Sequence, residues 1–238
     1  MTTVANYLGK FFLNQAQFAT LCEVDEADID RLITALCIPA PSYIVSANST
    51  IHSFVFGELP SPHAIPGRYF HPANKIWLER AQKLETEVGM VATPELLKTR
   101  FKHNFILALK ELDTKVWRLP DCFDAEGQEL ASGLERRAQS AWEHFLHGTF
   151  GLCVANPISE AHIARKEILQ EKLNSLSDQG NKLSFTTDEA HAMLQLIEDY
   201  AEASMPFSPA EFELSSRKKL VQDLRLRIQN SQGTDLMN

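Results

Sequence analysis

Residues 14–36 read NQAQFATLCEVDEADIDRLITAL. Asn14 to Leu21 has the makings of a short helix, Glu23-Val24 of a tight turn, and Asp25 to Leu36 of a second helix. Ile29, Leu32, Ile33 and Leu36 recur at helical spacing and are expected to pack inward, with Asp25 as the cap. A β-like stretch follows. Tyr43-Ile44-Val45 and Ile51 to Phe56 flank Asn48-Ser49-Thr50, which reads as a hairpin, and Gly67-Arg68-Tyr69-Phe70 then leads into another helix.

This order is that of a winged helix-turn-helix, and the passage from the turn before Phe70 to Ala81 resembles the MerR-like winged-helix class over roughly the first third of the chain. The charge argues against the usual use of that shape. DNA readers set the start of the second helix against base edges between walls of phosphate. Here that helix begins with Asp25, Glu26, Asp28 and Asp30, offset locally by Arg31 alone. Acids in a first turn do favour the helix itself. Residues 1–90 hold 6 Lys/Arg against 9 Asp/Glu and residues 91–238 hold 17 against 22, which makes up the net −8. Neither part attracts a phosphate backbone, so nucleic acid is disfavoured as a partner.

The rest of the chain reads as helices. The segment from His71-Pro72 to Val88 carries Ile76, Trp77, Ala81 and Leu84 on one face. Thr93-Pro94-Glu95 is a cap, proline and acid start for a helix to about Trp117, with Leu97, Phe101, Phe105, Leu109 and Leu112 as its stripe. Glu126 to Leu146 is expected as another, closed by Gly148. Pro157-Ile158-Ser159-Glu160 opens the next, Thr186 and Glu189 form a capping box, and Ser208 to Glu211 fits one again. Ser215 or Ser216 restarts a helix to about Gln229, while Phe150 to Val154 reads as a short strand or extended loop. The expectation is a mainly α protein. A winged-helix-like module over 1–90 with a small β-hairpin precedes a larger helical domain over 91–230, and 231–238 forms a flexible tail.

Cys22, Cys37, Cys122 and Cys153 are widely spaced with no C-x-x-C pair, against a zinc ribbon or redox dithiol. No basic-then-apolar leader and no run of membrane-span length is visible. A reducing cytoplasm is the simplest address, with no membrane partner. No phosphate loop, dinucleotide fingerprint, nucleophile elbow or His-Glu-x-x-His run is present. The sequence names no cofactor and no resident metal, and an oligomer is compatible with it.

The densest polar cluster runs from Trp142 to Cys153. His144 and His147 lie three apart and share a helix face. With Cys153 they could supply a nucleophile and base. The plainer readings are a histidine pair at the negative end of a helix and a buried apolar Leu152-Cys153-Val154. Cys153, His147 and His144 are therefore the candidate catalytic residues. Tyr43, Trp142, Lys166 and Arg217 are the candidate substrate contacts, the last two as anion binders. Arg165-Lys166-Glu167 otherwise reads as exposed, mixed-sign helix surface.

Pro39-Ala40-Pro41-Ser42-Tyr43, Gly148 to Val154, Ile163 with Lys166-Glu167, and Pro206-Phe207-Ser208-Pro209 together resemble an uncharacterised bacterial family carrying the label natural product biosynthesis protein. The likeness runs from about Tyr7 to Ile228; Phe56 to Pro66 departs from it. The resemblance implies a place in a specialised-metabolite gene cluster and brings no reaction and no catalytic residues. The expected function is an enzyme acting on a small or carrier-bound intermediate at the seam between module and helices. The alternatives are a non-enzymatic peptide- or partner-binding module and, last, a DNA-binding regulator.

Overall fold

The computed structural model of the protein describes residues 3–235, with side chains described to residue 232. Thr3 accepts a bond from the Asn6 amide and opens α1 (Val4–Phe11). β1 (Leu13–Asn14), α2 (Gln15–Cys22) and α3 (Glu26–Thr34) follow. Four strands come next: β2 (Tyr43–Val45), β3 (Thr50–Ser53), β4 (Gly57–Pro60) and β5 (Gly67–Phe70). The helices α4 (Asn74–Val88), α5 (Thr93–Lys115), α6 (Ala131–Leu146), α7 (Thr149–Cys153), α8 (Glu160–Leu176), α9 (Thr187–Ala203) and α10 (Leu224–Asp235) complete the chain. A 3-10 turn at Phe212–Leu214 and a π-helical stretch at Lys218–Asp223 precede α10. The protein is mainly helical with one small antiparallel sheet.

The sheet holds five strands in the order β1-β5-β2-β3-β4. It is larger than the expected hairpin. β4 escapes sequence pattern because it begins with Gly57 and ends with Pro60, but it is the edge strand, where proline is tolerated. β3 ends at Ser53, and Phe54 to Phe56 form the turn into β4 rather than more strand.

Asp25 occupies the cap position of α3 without making a side-chain cap bond, and Leu36, expected to pack inward, takes a left-handed backbone and is 55% exposed. Ion pairs hold α3 in place: Asp30 with Arg68 of β5, and Arg31 with Glu85 of α4 at 2.8 Å. The Thr93 hydroxyl donates to the Gly89 carbonyl instead of capping α5.

α6 starts at Ala131, not Glu126, because Gly127 at φ +85° turns the chain and Phe123 bridges Glu129. Gly133 then lies so close to the Asp121 carbonyl that a Cβ would sit 1.6 Å from its oxygen. Phe150 to Val154 is not a strand. Gly148 at φ +71° redirects the chain, and α7 follows at once. A short apolar run of this kind does not by itself separate strand from buried helix. The capping box of Thr186 and Glu189 forms as expected. That of Ser208 and Glu211 does not, for a reason that bears on the site. Residues 231–235 continue α10; the expected tail otherwise lies outside the described residues.

The largest core joins α1 and the sheet to α5, α6, α7 and the start of α8. A second forms between the end of α8, α9 and α10, and a third between α2, α3 and α4. No helix among the described residues is long and apolar enough to cross a membrane.

Candidate functional site

A cavity of about 380 Å³ opens where the β3–β4 turn meets the helices. Val55 and Phe56 come from the turn, Phe105 and Leu109 from α5, and Arg137 and His144 from α6. α7 adds Phe150 and Cys153, α8 adds Lys166, Glu167 and Gln170, and the segment after α9 adds Phe207, Leu214 and Ser216. Exposed Val55 and Leu214 are apolar residues of this opening, and exposed Phe54 lies beside it, edge-on to His144 at 5.8 Å.

Its polar floor is a chain of bonds on α8. The Lys166 ammonium donates to Glu167 at 2.9 Å and to Gln170 at 2.7 Å. The Tyr200 hydroxyl donates toward Gln170 at 3.5 Å and lies 2.7 Å from the Ser216 hydroxyl. Burial alone would lower the Lys166 ammonium, yet charge on Cys153, Glu167 and Tyr200 raises it, and the balance lies above the ordinary lysine value. Of these three, Glu167 is the one ionised near neutral pH, so it is the effective partner. Burial pulls Glu167 up, but Lys166, with lesser pulls from His144 and Arg137, holds its carboxyl below the usual range. Its side chain keeps 40% of its area while the Lys166 side chain keeps 6%. That exposed area faces the cavity, since Glu167 is among the lining residues.

The candidate catalytic trio separates. Cys153 lines the cavity, but burial pushes its thiol up to about 11 despite nearby Lys166. Burial and the raised thiol both weigh against a ready thiolate there. His144 lines the cavity with its Nδ1 3.3 Å from the Thr149 hydroxyl. His147 does not line it: its ring stacks on Phe54 at 3.8 Å and its Nδ1 bonds the Glu143 carbonyl at 2.7 Å. No group of three or more His, Cys, Asp or Glu among the described residues could hold a metal ion.

The candidate substrate contacts separate as well. Lys166 is in the floor. Arg217 is turned away, donating to the Ala201 and Ser204 carbonyls at 2.7 and 2.8 Å and so closing the end of α9. Trp142 faces a second cavity beside Phe101 and Phe145. Tyr43 is fully buried, and its hydroxyl donates to Glu211 at 2.7 Å. The other Glu211 oxygen accepts from the Ser53 hydroxyl at 2.7 Å. Burial raises the Glu211 carboxyl, and these two donors oppose the rise. Glu211 is thus a clasp between sheet and C-terminal segment rather than a helix cap.

Sequence pattern missed Glu167, Gln170 and Ser216. A signal existed for Gln170: Ile163, Lys166, Gln170 and Leu173 fall on one helical stripe, which places the lysine among core residues.

A family described as "Family of unknown function (DUF6058)" matches residues 97–229, more than half of the chain. The chain belongs to this family. The DUF6058 region supplies every lining residue of the 380 Å³ cavity except Val55 and Phe56. Nothing matches among curated proteins or among solved structures.

Proposed function

We propose that the protein is an enzyme of a bacterial specialised-metabolite pathway, acting on a small or carrier-bound intermediate in the cavity between the β3–β4 turn and α5–α8. The observation behind this reading is the Lys166–Glu167 pair. A buried ammonium is expensive to keep, and here its carboxylate partner stays 40% exposed toward a cavity of mixed polar and apolar lining. Within it Lys166 serves as a fixed positive charge for an anionic or carbonyl oxygen. Glu167 and His144 serve as the proton acceptor and donor, and the Cys153 thiol is a wall atom. The apolar rim of Phe54, Val55 and Leu214 suits the flexible arm of a carrier-bound substrate. The test is complementation of a native host lacking the gene, with metabolites read by mass spectrometry. Wild type restores the missing product; Glu167→Gln and His144→Ala do not. Full restoration by both variants removes the enzyme reading.

A second reading concerns the first ninety residues, taken as a winged-helix-like module that grips a protein or peptide. It is favoured by the side chains Arg31 and Arg68, which would otherwise reach toward phosphate. Both are engaged in ion pairs with Glu85 and Asp30, while Glu23, Asp25 and Glu26 stay exposed. The expected partner surface is basic. A gel shift with duplex DNA at low salt shows no complex on this reading, and a salt-sensitive shift favours a DNA-binding regulator instead.

A further inference from the structure

The second cavity, of about 280 Å³, lies on the opposite side of α6 from the Lys166–Glu167 floor. Ala141 and His144 of α6 face the first cavity, whereas Trp142 and Phe145 face the second. α5 is shared in the same way, with Phe105 lining the first and Phe101 the second.

Four aromatic rings form its wall. Trp77 meets Phe145 at 4.8 Å edge-on, Phe101 meets Phe145 at 4.9 Å, and Trp142 stacks on Phe145 at 5.2 Å. The Trp77 ring is fixed from behind, since its Nε1–H donates to the Pro157 carbonyl at 2.7 Å. These rings are packed against one another before any ligand arrives, so little ordering cost falls on binding.

Charge at this cavity runs against that of the chain. Arg80, Lys83 and Arg100 line it against Glu87 and Glu160, one positive charge in excess on a protein of net −8. Arg80 is already committed, lying 4.4 Å over the Trp77 ring and pairing with the buried Glu160 at 3.3 Å. Asn104 also donates to Glu160, at 3.2 Å. Lys83 and Arg100 show no such ion pair among the described residues, and both are exposed.

We infer that this second cavity is a binding site for a small aromatic carboxylate, its ring held among Trp77, Phe101, Trp142 and Phe145 and its carboxylate facing Lys83 and Arg100. The volume suits a body of one or two rings. A planar guanidinium at the rim suits a carboxylate in particular. The site is independent of the proposed chemistry on α8, and neither reading needs the other.

The test uses the full chain with 4-fluorophenylacetate and its neutral isostere 4-fluorophenylacetamide, both titrated at low salt and read by fluorine NMR. The acid binds more tightly than the amide by about five-fold, the scale of an exposed ion pair. Saturation shifts the indole N–H signals of Trp77 and Trp142. Lys83→Gln combined with Arg100→Gln brings acid and amide within two-fold of each other, a limit set by loss of about the same pair energy. Both positions are exposed, so that variant keeps its fold. His144→Ala, in the other cavity, leaves the acid's affinity unchanged. Absent binding, equal binding of acid and amide in the wild type, or a loss caused by His144→Ala overturns the assignment.

Discussion

Removing one oxygen atom, in Tyr43→Phe, tests the clasp on which the joining of sheet and C-terminal segment rests. The ring keeps its packing, edge-on to Phe12 at 5.0 Å and to Tyr7 at 6.1 Å. What is lost is the 2.7 Å bond to Glu211. Tyr43 is fully buried and Glu211 nearly so, which leaves no room for water to take over the bond. A hydrogen bond to a charged group contributes about 1.5–3 kcal/mol. For a chain of this size each kcal/mol moves Tm by roughly 2–4 °C, so the expected loss is on the order of 3–12 °C. The pH dependence gives an independent check. Glu211 has its folded-state carboxyl raised by burial, so the folded state binds the extra proton. Its contribution to stability is whole below the unfolded carboxyl value and declines as pH rises through the folded one. Glu211→Gln has no such decline, and the stability of wild type minus variant should fall steadily over that window. Thermal unfolding followed by circular dichroism at several pH values measures both. A Tyr43→Phe protein within about 1 °C of wild type, where roughly 3 °C or more is expected, refutes the clasp. A wild type minus Glu211→Gln difference that is flat in pH refutes the burial-raised carboxyl instead, since the two clasp donors oppose that rise.

Three further outcomes follow from contacts already described. Gly133→Ala places a Cβ against the Asp121 carbonyl and should cost about 3 kcal/mol or more, seen as a lower urea midpoint; an unchanged midpoint contradicts the close approach. Lys166→Met strands the Glu167 carboxylate and should cost about 1–3 kcal/mol, solvent in the cavity moderating the loss, and adding Glu167→Gln should recover most of it. Cys153 should resist thiol reagents at neutral pH in the folded protein and react on unfolding, because it is buried and its thiol is pushed up to about 11; rapid labelling of the native chain contradicts this.

What sequence could and could not show depends on the range of the interactions involved. The capping box at Thr186 and Glu189 is local, three residues apart, and its chemistry is complete within one turn. Ser208 to Glu211 has the same local grammar, yet Glu211 bonds Ser53 and Tyr43, 158 and 168 residues away. Long-range partners of this kind leave no trace in spacing. The same holds for Arg217, a plausible anion contact by type, whose guanidinium ends on the carbonyls of α9. The pairing of Gly148 and Gly151 with Ser42 is another case. A Cβ on Gly148 would meet the Ala40 carbonyl at 2.4 Å, and one on Gly151 the Ser42 hydroxyl at 2.4 Å, so both glycines are required by the segment leading into β2, brought in from a hundred residues earlier. The general seam between the N-terminal segment and residues 142–167 was legible from the density of polar residues there. Which histidine faces it was not, since His144 and His147 differ by less than one helical turn and diverge through Phe54, which stacks on His147, and through their Nδ1 partners, Thr149 and the Glu143 carbonyl.

The turn carrying Val55 and Phe56 has a consequence for how such a protein can change. Ser53, at its base, is fastened to Glu211 and in turn accepts the Phe56 amide at 3.3 Å. The tip is therefore anchored at its root and also through two of its rings, Phe54 stacked on His147 and Phe56 set edge-on to Phe207. Between those two rings Val55 projects 46% exposed, so the turn offers one position that can be rewritten while the helical vessel beneath keeps its charges and its shape.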